Sequence, residues 1–228
     1  MWKFICGFVV AMLASAAGNA SDLTPTEARW LKGVWPVVAF AKQAGLALDI
    51  VVQPQPAPGA APLAMAFIGG RCTLVLSMRD NPEAQATLDR VATDLLDATL
   101  ELMAAHELGH CRRYLDGAWH GTPTGFVTAG PEGLAPSWRS VHAGMRAARR
   151  EEAYADLVGL AWTQQQHPQQ YQRLHAWLIA ERSADLIPGS HHDTLAWIRL
   201  AQHGIAPARP SIFAAAHALW LAGLAVAD

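Results

Sequence analysis

An excess of either charge is missing from this sequence. Lys and Arg together number 17 against 19 Asp and Glu, a net charge of −2. Nothing in that balance recruits nucleic acid or an anionic membrane surface. Charged residues are also scarce, at 16% beside 52% hydrophobic residues, which excludes a disordered chain. A run long enough to cross a bilayer is missing too. The apolar stretches at 4–17 and 212–227 fall short of the roughly 20 residues a spanning helix needs. Cysteine is sparse: Cys6, Cys72 and Cys111 are all there are. A chain of 228 residues can bury its own core without depending on staples. Nine tryptophans are read as large core fillers.

What is present begins with a leader. Lys3 supplies the positive start, residues 4–17 the apolar run, and Gly18-Asn19-Ala20 the small residues of a cleavage site. Cleavage after Ala20 is expected, leaving residues 21–228 as one exported domain, periplasmic or secreted. Cys6 sits at the start of the apolar run, not after it, which argues against a lipoprotein. Its removal leaves Cys72 and Cys111. In an oxidising compartment they either pair or stay as two buried thiols. A bond would close a loop of about 39 residues, worth ~3–4 kcal/mol in the chain-entropy model.

The mature part opens on a helix start, with Thr24 as N-cap, Pro25 at the first position and Glu27 at the third. Trp30, Leu31, Val34, Val37 and Val38 follow at helical spacing. Residues 46–52 suit a strand. Residues 63–68 and 72–78 flank Gly69-Gly70-Arg71 and predict a β-hairpin. Residues 83–114 are helical, with a break expected near Thr93 or Asp94. Residues 117–143 are rich in Gly, Pro, Ser and Thr and predict an irregular segment able to cover a cleft. Helices are expected again at 146–166, 168–186 and about 192–203. The apolar tail after Ser211 spans too little for a membrane and is expected to dock as a terminal helix. The fold class is therefore α+β, mostly α-helical, with a small hairpin beside the main helices.

One motif carries chemistry. His106-Glu107-Leu108-Gly109-His110 is H-E-x-x-H within a helical pattern. Residues four apart share a helix face, so both imidazoles can bind a single tetrahedral zinc ion. Glu107 is close enough to take a proton from water activated there. A third protein ligand is needed. Glu152 is one candidate, with Asp156 four residues on, able to accept the second N–H of a ligand histidine. Asp116, six residues after His110, is another. There the spacing calls for a glycine at Arg113 so that the chain can turn back. His120 and His142 are further candidates. Cys111 adjoins His110 but points about 100° away around the helix, where a link to Cys72 would tie the helix to the hairpin.

His106-Glu107-x-x-His110 followed by Glu152-x-x-Ala155-Asp156 resembles the gluzincin pattern. Within that clan it is similar to the HtpX-like and CAAX-prenyl-endopeptidase-like zinc peptidases. The resemblance covers about half of the chain, and the membrane spans usual in those relatives are lacking. It implies a zincin-like domain holding one zinc ion on His106, His110 and Glu152, with Glu107 as the base and Asp156 behind the ligands. A later stretch from Ser190 to Ile198 is similar in outline to the family's His-Pro segment. It implies that His191 steadies the oxyanion, with His192 and Trp197 departing from the family's Pro and Arg. The implied activity is hydrolysis of a peptide or protein substrate by an endopeptidase. The hairpin at 63–78 would hold the substrate as an added strand. Two other readings keep the zinc: a non-catalytic, zinc-stabilised binding or chaperone module of the envelope, and a zinc amidase acting on cell-wall peptides.

Overall fold

A computed structural model describes residues 23–52, 61–117, 136–184, 186–206 and 211–225. The proposed leader and its cleavage site lie outside the described residues. So does most of the segment predicted to be irregular.

Helix α1 (Pro25–Gln43) starts as its sequence requires. Thr24 and Glu27 form a reciprocal capping box, and Trp30, Val34, Val37, Val38 and Ala41 form its buried stripe. Strand β1 (Leu48–Val52) follows. Strands β2 (Leu63–Ile68) and β3 (Arg71–Leu76) form the expected hairpin, turning at Gly69 and Gly70, both at positive φ. The sheet order is β1-β3-β2, with β1 parallel and β2 antiparallel to β3. Among the described residues β2 is thus an edge strand.

The long helical stretch is broken where expected. α2 (Pro82–Arg90) is capped by Asn81, a 3-10 turn covers Thr93–Leu95, and α3 (Leu96–Leu115) follows. α4 (Pro136–Gln166) begins ten residues earlier than its composition suggested. The segment 117–143 is therefore not irregular to its end. Pro136 suits a first helical position, and Trp138, Val141 and Met145 keep helical spacing that the surrounding Ser, His and Gly obscure. α5 (Tyr171–Ala184) starts three residues later than expected. α6 (Leu195–Leu200) is shorter than expected, with turns on both sides.

The tail forms α7 (Ile212–Leu224), and it docks. Trp220 is 1% exposed. It donates to the Arg150 carbonyl at 2.8 Å and accepts from the Trp197 indole at 3.1 Å. Trp30 and Trp197 are also fully buried, in keeping with their role as core fillers. Cys72 and Cys111 form a disulfide, which joins β3 to α3. Among the described residues no helix is long and apolar enough to cross a membrane.

Two glycines set the contact that matters most. A Cβ on Gly109 would meet the Ala155 Cα at 2.9 Å, and one on Gly159 would meet the Leu102 carbonyl oxygen at 2.9 Å. Only helices lacking side chains at these points can approach so closely. That approach lays the start of the buried part of α4 against the middle of α3.

Candidate metal centre

α3 presents His106 and His110 on one face, one turn apart. α4 brings Glu152 over both rings. The two Nε2 atoms are 3.1 Å apart. Glu152 Oε2 lies 3.5 Å from His106 Nε2, and Oε1 lies 3.5 Å from His110 Nε2. Ligands at 2.0–2.1 Å from a tetrahedral ion stand about 3.3 Å from one another. The two 3.5 Å edges end on different oxygens of Glu152; one ligand atom from each residue lies within 4.8 Å of the other two, and the three residues can hold a metal ion.

The surroundings fix each donor. Asp156 is 1% exposed and its Oδ1 accepts from His106 Nδ1 at 2.9 Å. That bond places the proton of a neutral His106 on Nδ1 and aims the Nε2 lone pair at the cluster. Asp156 is held in turn by Arg182, through Nε at 3.0 Å and Nη2 at 2.7 Å, and by Thr194 Oγ1 at 2.6 Å. Arg182 Nη2 also donates to Glu152 Oε2 at 3.2 Å.

Electrostatics separates the two rings. Burial opposes a charge on His106, but the Asp156 bond and charge outweigh it and raise the pKa above the usual histidine value. His110 is pushed well below that value, chiefly by burial and then by its neighbour's charge. Its ring is neutral near pH 7, as a metal ligand must be. Burial would also lift the carboxyl of Asp156. The charge of Arg182 and the His106 bond overcome it and hold the group well below the usual carboxylate range. Glu107 shows the opposite balance. Burial pushes its carboxyl up to about 7, although the charge of His106 and the Met65 N–H pull it down. Three carboxylates, Glu107, Glu152 and Asp156, thus share one guanidinium, Arg182. With neutral rings, and Glu107 partly protonated near neutral pH, the cluster keeps a net negative charge, which suits a cation.

The cluster opens onto a cavity of about 460 Å³. Glu107 is on its wall beside the ligands. Leu63 and Met65 of the edge strand, Leu102 and Met103 of α3, and Trp177 and Leu178 of α5 give it an apolar side. Arg90, Glu181, Arg182 and His192 line both this cavity and a second one of about 430 Å³.

The other predicted residues fall outside the cluster. Asp116 pairs with Arg112 at the exposed end of α3 and is not part of the cluster. His120 and the side chain of His142 lie outside the described residues. His191 and His192 are both exposed, their ring centroids 4.0 Å apart and their planes tilted by 53°. Of the two, His192 lines the cavity. The cause is local: Thr194 is anchored inward on Asp156, and the turn before it carries His192 to the cleft. Arg182 and Thr194 were not foreseen. Neither belongs to a motif, and both act through the packing of α5 and α6 on α4, which leaves no local signal.

Compared with family models, with curated proteins and with solved structures, the chain matches none.

Proposed function

We propose that this chain is a zinc-dependent metallopeptidase of the gluzincin type, with a zincin-like fold, acting on peptides outside the cytoplasm. The observation that carries the reading is the cluster of His106, His110 and Glu152 donors, opening onto a cavity whose wall also holds the carboxylate of Glu107. When bound, zinc would make water acidic near neutral pH and polarise a carbonyl group. The chain's own residues supply the rest. Glu107, shielded beside an apolar wall, takes the proton of the attacking water on its carboxylate. It then delivers that proton to the leaving amine nitrogen. Its pKa of about 7 in the metal-free protein suits a group that must both accept and release a proton. His192 stands on the wall where the resemblance suggested His191 would be. Burial, and then the charge of Arg182, lower its pKa. A neutral ring there can donate an N–H to the carbonyl oxygen as charge builds on it.

Substrate binding follows from the sheet. Among the described residues β2 pairs with β3 alone, so the part of its other edge beyond the Met65 N–H that Glu107 accepts can pair with an extended peptide. Its residues 63–65 already line the cavity. The apolar side of the cavity then takes a bulky apolar side chain beside the bond to be cut. Location outside the cytoplasm is supported by the Cys72–Cys111 bond, which persists in oxidising compartments.

The binding-module alternative predicts a closed site, because structural zinc takes four protein ligands. Here three are grouped among the described residues, and they face a cavity. The test is metal analysis of the purified mature protein with a chelator-sensitive assay on proteins, cell-wall peptides and small amides. Zinc-dependent cleavage of unmodified peptides supports the reading. Cleavage confined to cell-wall amides moves it to the amidase class, and zinc without any hydrolysis moves it to the binding module.

A further inference from the structure

Arg182 stands on α5, outside every motif, yet it touches both acids that α4 sends to the centre. Its side chain is 15% exposed. Three of its contacts are short: Nε to Asp156 Oδ2 at 3.0 Å, Nη2 to Asp156 Oδ1 at 2.7 Å, and Nη2 to Glu152 Oε2 at 3.2 Å. The fork on Asp156 stops the guanidinium from swinging. Asp156 is itself pinned by His106 and Thr194. The bond to Glu152 therefore comes from a fixed donor.

That bond makes the two oxygens of Glu152 unequal. Oε2 lies 3.5 Å from His106 Nε2 and carries the guanidinium. Oε1, which faces His110 Nε2 at 3.5 Å, has no bond to Arg182. A glutamate can give a metal one oxygen or two. Two oxygens, two imidazoles and a water would make the ion five-coordinate and crowd the place a substrate needs, whereas one oxygen leaves a four-coordinate ion with one exchangeable place.

We propose that Arg182 is a positioning residue that restricts Glu152 to one ligating oxygen, Oε1, and so keeps a place on the ion open for water and substrate. The proposal rests on the metallopeptidase reading above. It differs from simple charge compensation, because a lysine would supply the same charge. A lysine ammonium is a single compact donor and cannot hold a flat fork on Asp156 while engaging Glu152.

Cobalt(II) exchanged for zinc in the mature protein separates these roles, since its visible bands are strong in four-coordinate sites and severalfold weaker in five-coordinate ones. The wild type is expected to give strong bands. Arg182→Met and Arg182→Lys are both expected to give weak ones. Zinc affinity should fall about 10- to 100-fold in each, and kcat should fall more than KM rises. A lysine variant with the wild-type spectrum and affinity overturns the proposal. If the methionine variant does not fold, the lysine variant alone decides. A wild type that takes up no cobalt, or a Glu152→Ala variant that takes it up undiminished, overturns the metal reading instead, and the role of Arg182 with it.

Discussion

The same two helices, α3 and α4, carry two polar clusters a few turns apart, and the clusters are built on opposite principles. At one, Glu101 of α3 accepts from the Trp162 indole at 2.9 Å and from His167 at 2.8 Å. Acceptors and donors match there, so the acid is satisfied and can be buried at modest cost. At the other, His106, His110 and Glu152 turn lone pairs toward a common point. The contact between the two imidazole nitrogens can hold at most one proton. A histidine beside a carboxylate is thus no sign of a metal by itself. The sign is a surplus of acceptors converging at ligand spacing, with the balancing donors, Arg182 and Thr194, placed behind them.

The contrast is broken most severely at the ligands. Replacing His106, His110 or Glu152 with Ala should reduce bound zinc from one ion per chain to near none, while Glu101→Gln should leave it unchanged. Metal analysis of the purified variants reads this directly. Equal zinc loss at Glu101 would mean the two clusters are not distinct in kind.

Glu107→Gln comes next in size. It should keep its zinc and lose on the order of 10²- to 10⁴-fold in kcat, the range for removing a general base. Wild-type turnover in a zinc-loaded Gln variant would remove Glu107 from the mechanism.

Acidity should sharpen the difference further. The raised pKa of His106 means that, as pH falls through that value, its ring gains the proton that zinc must displace. Apparent zinc affinity should then drop about tenfold per pH unit for each proton displaced. Competition titrations between pH 8 and 6 would show it. A flat profile would argue against His106 as a ligand.

The smallest effect belongs to the closed cluster. Glu101→Gln should cost about 1–3 kcal/mol, because Glu101 is a buried hydrogen-bonded group, with no change in kcat. Denaturant unfolding of the zinc-loaded protein measures it. A loss of activity without a loss of stability would place Glu101 in the catalytic machinery.

Much of this was legible in the sequence, for physical reasons. Helical spacing alone put His106 and His110 on one face. Thr24 and Glu27 marked the first helix, and Gly69-Gly70 marked the hairpin turn. The pairing of Glu152 with Asp156 could be read because four residues make about one turn. The third ligand could not be settled from spacing, since Asp116 had an arguable claim until the Gly109 approach showed which helix lies over the rings. The start of α4 was missed because its polar residues obscure the apolar spacing. Which of His191 and His192 lines the cavity could not be read, because the direction of a side chain in a turn depends on the Thr194 anchor. Arg182 could not be read at all. A lone arginine in an amphipathic helix gains meaning only from the helix packed against it.

The central claim is that three donors from two helices hold one divalent ion, and the zinc content of Glu152→Ala set beside Asp116→Ala tests it most directly. The account expects about one zinc per chain in the wild type and in Asp116→Ala, and almost none in Glu152→Ala. A wild type free of zinc, or a Glu152→Ala protein that keeps its zinc while Asp116→Ala loses it, would contradict the account.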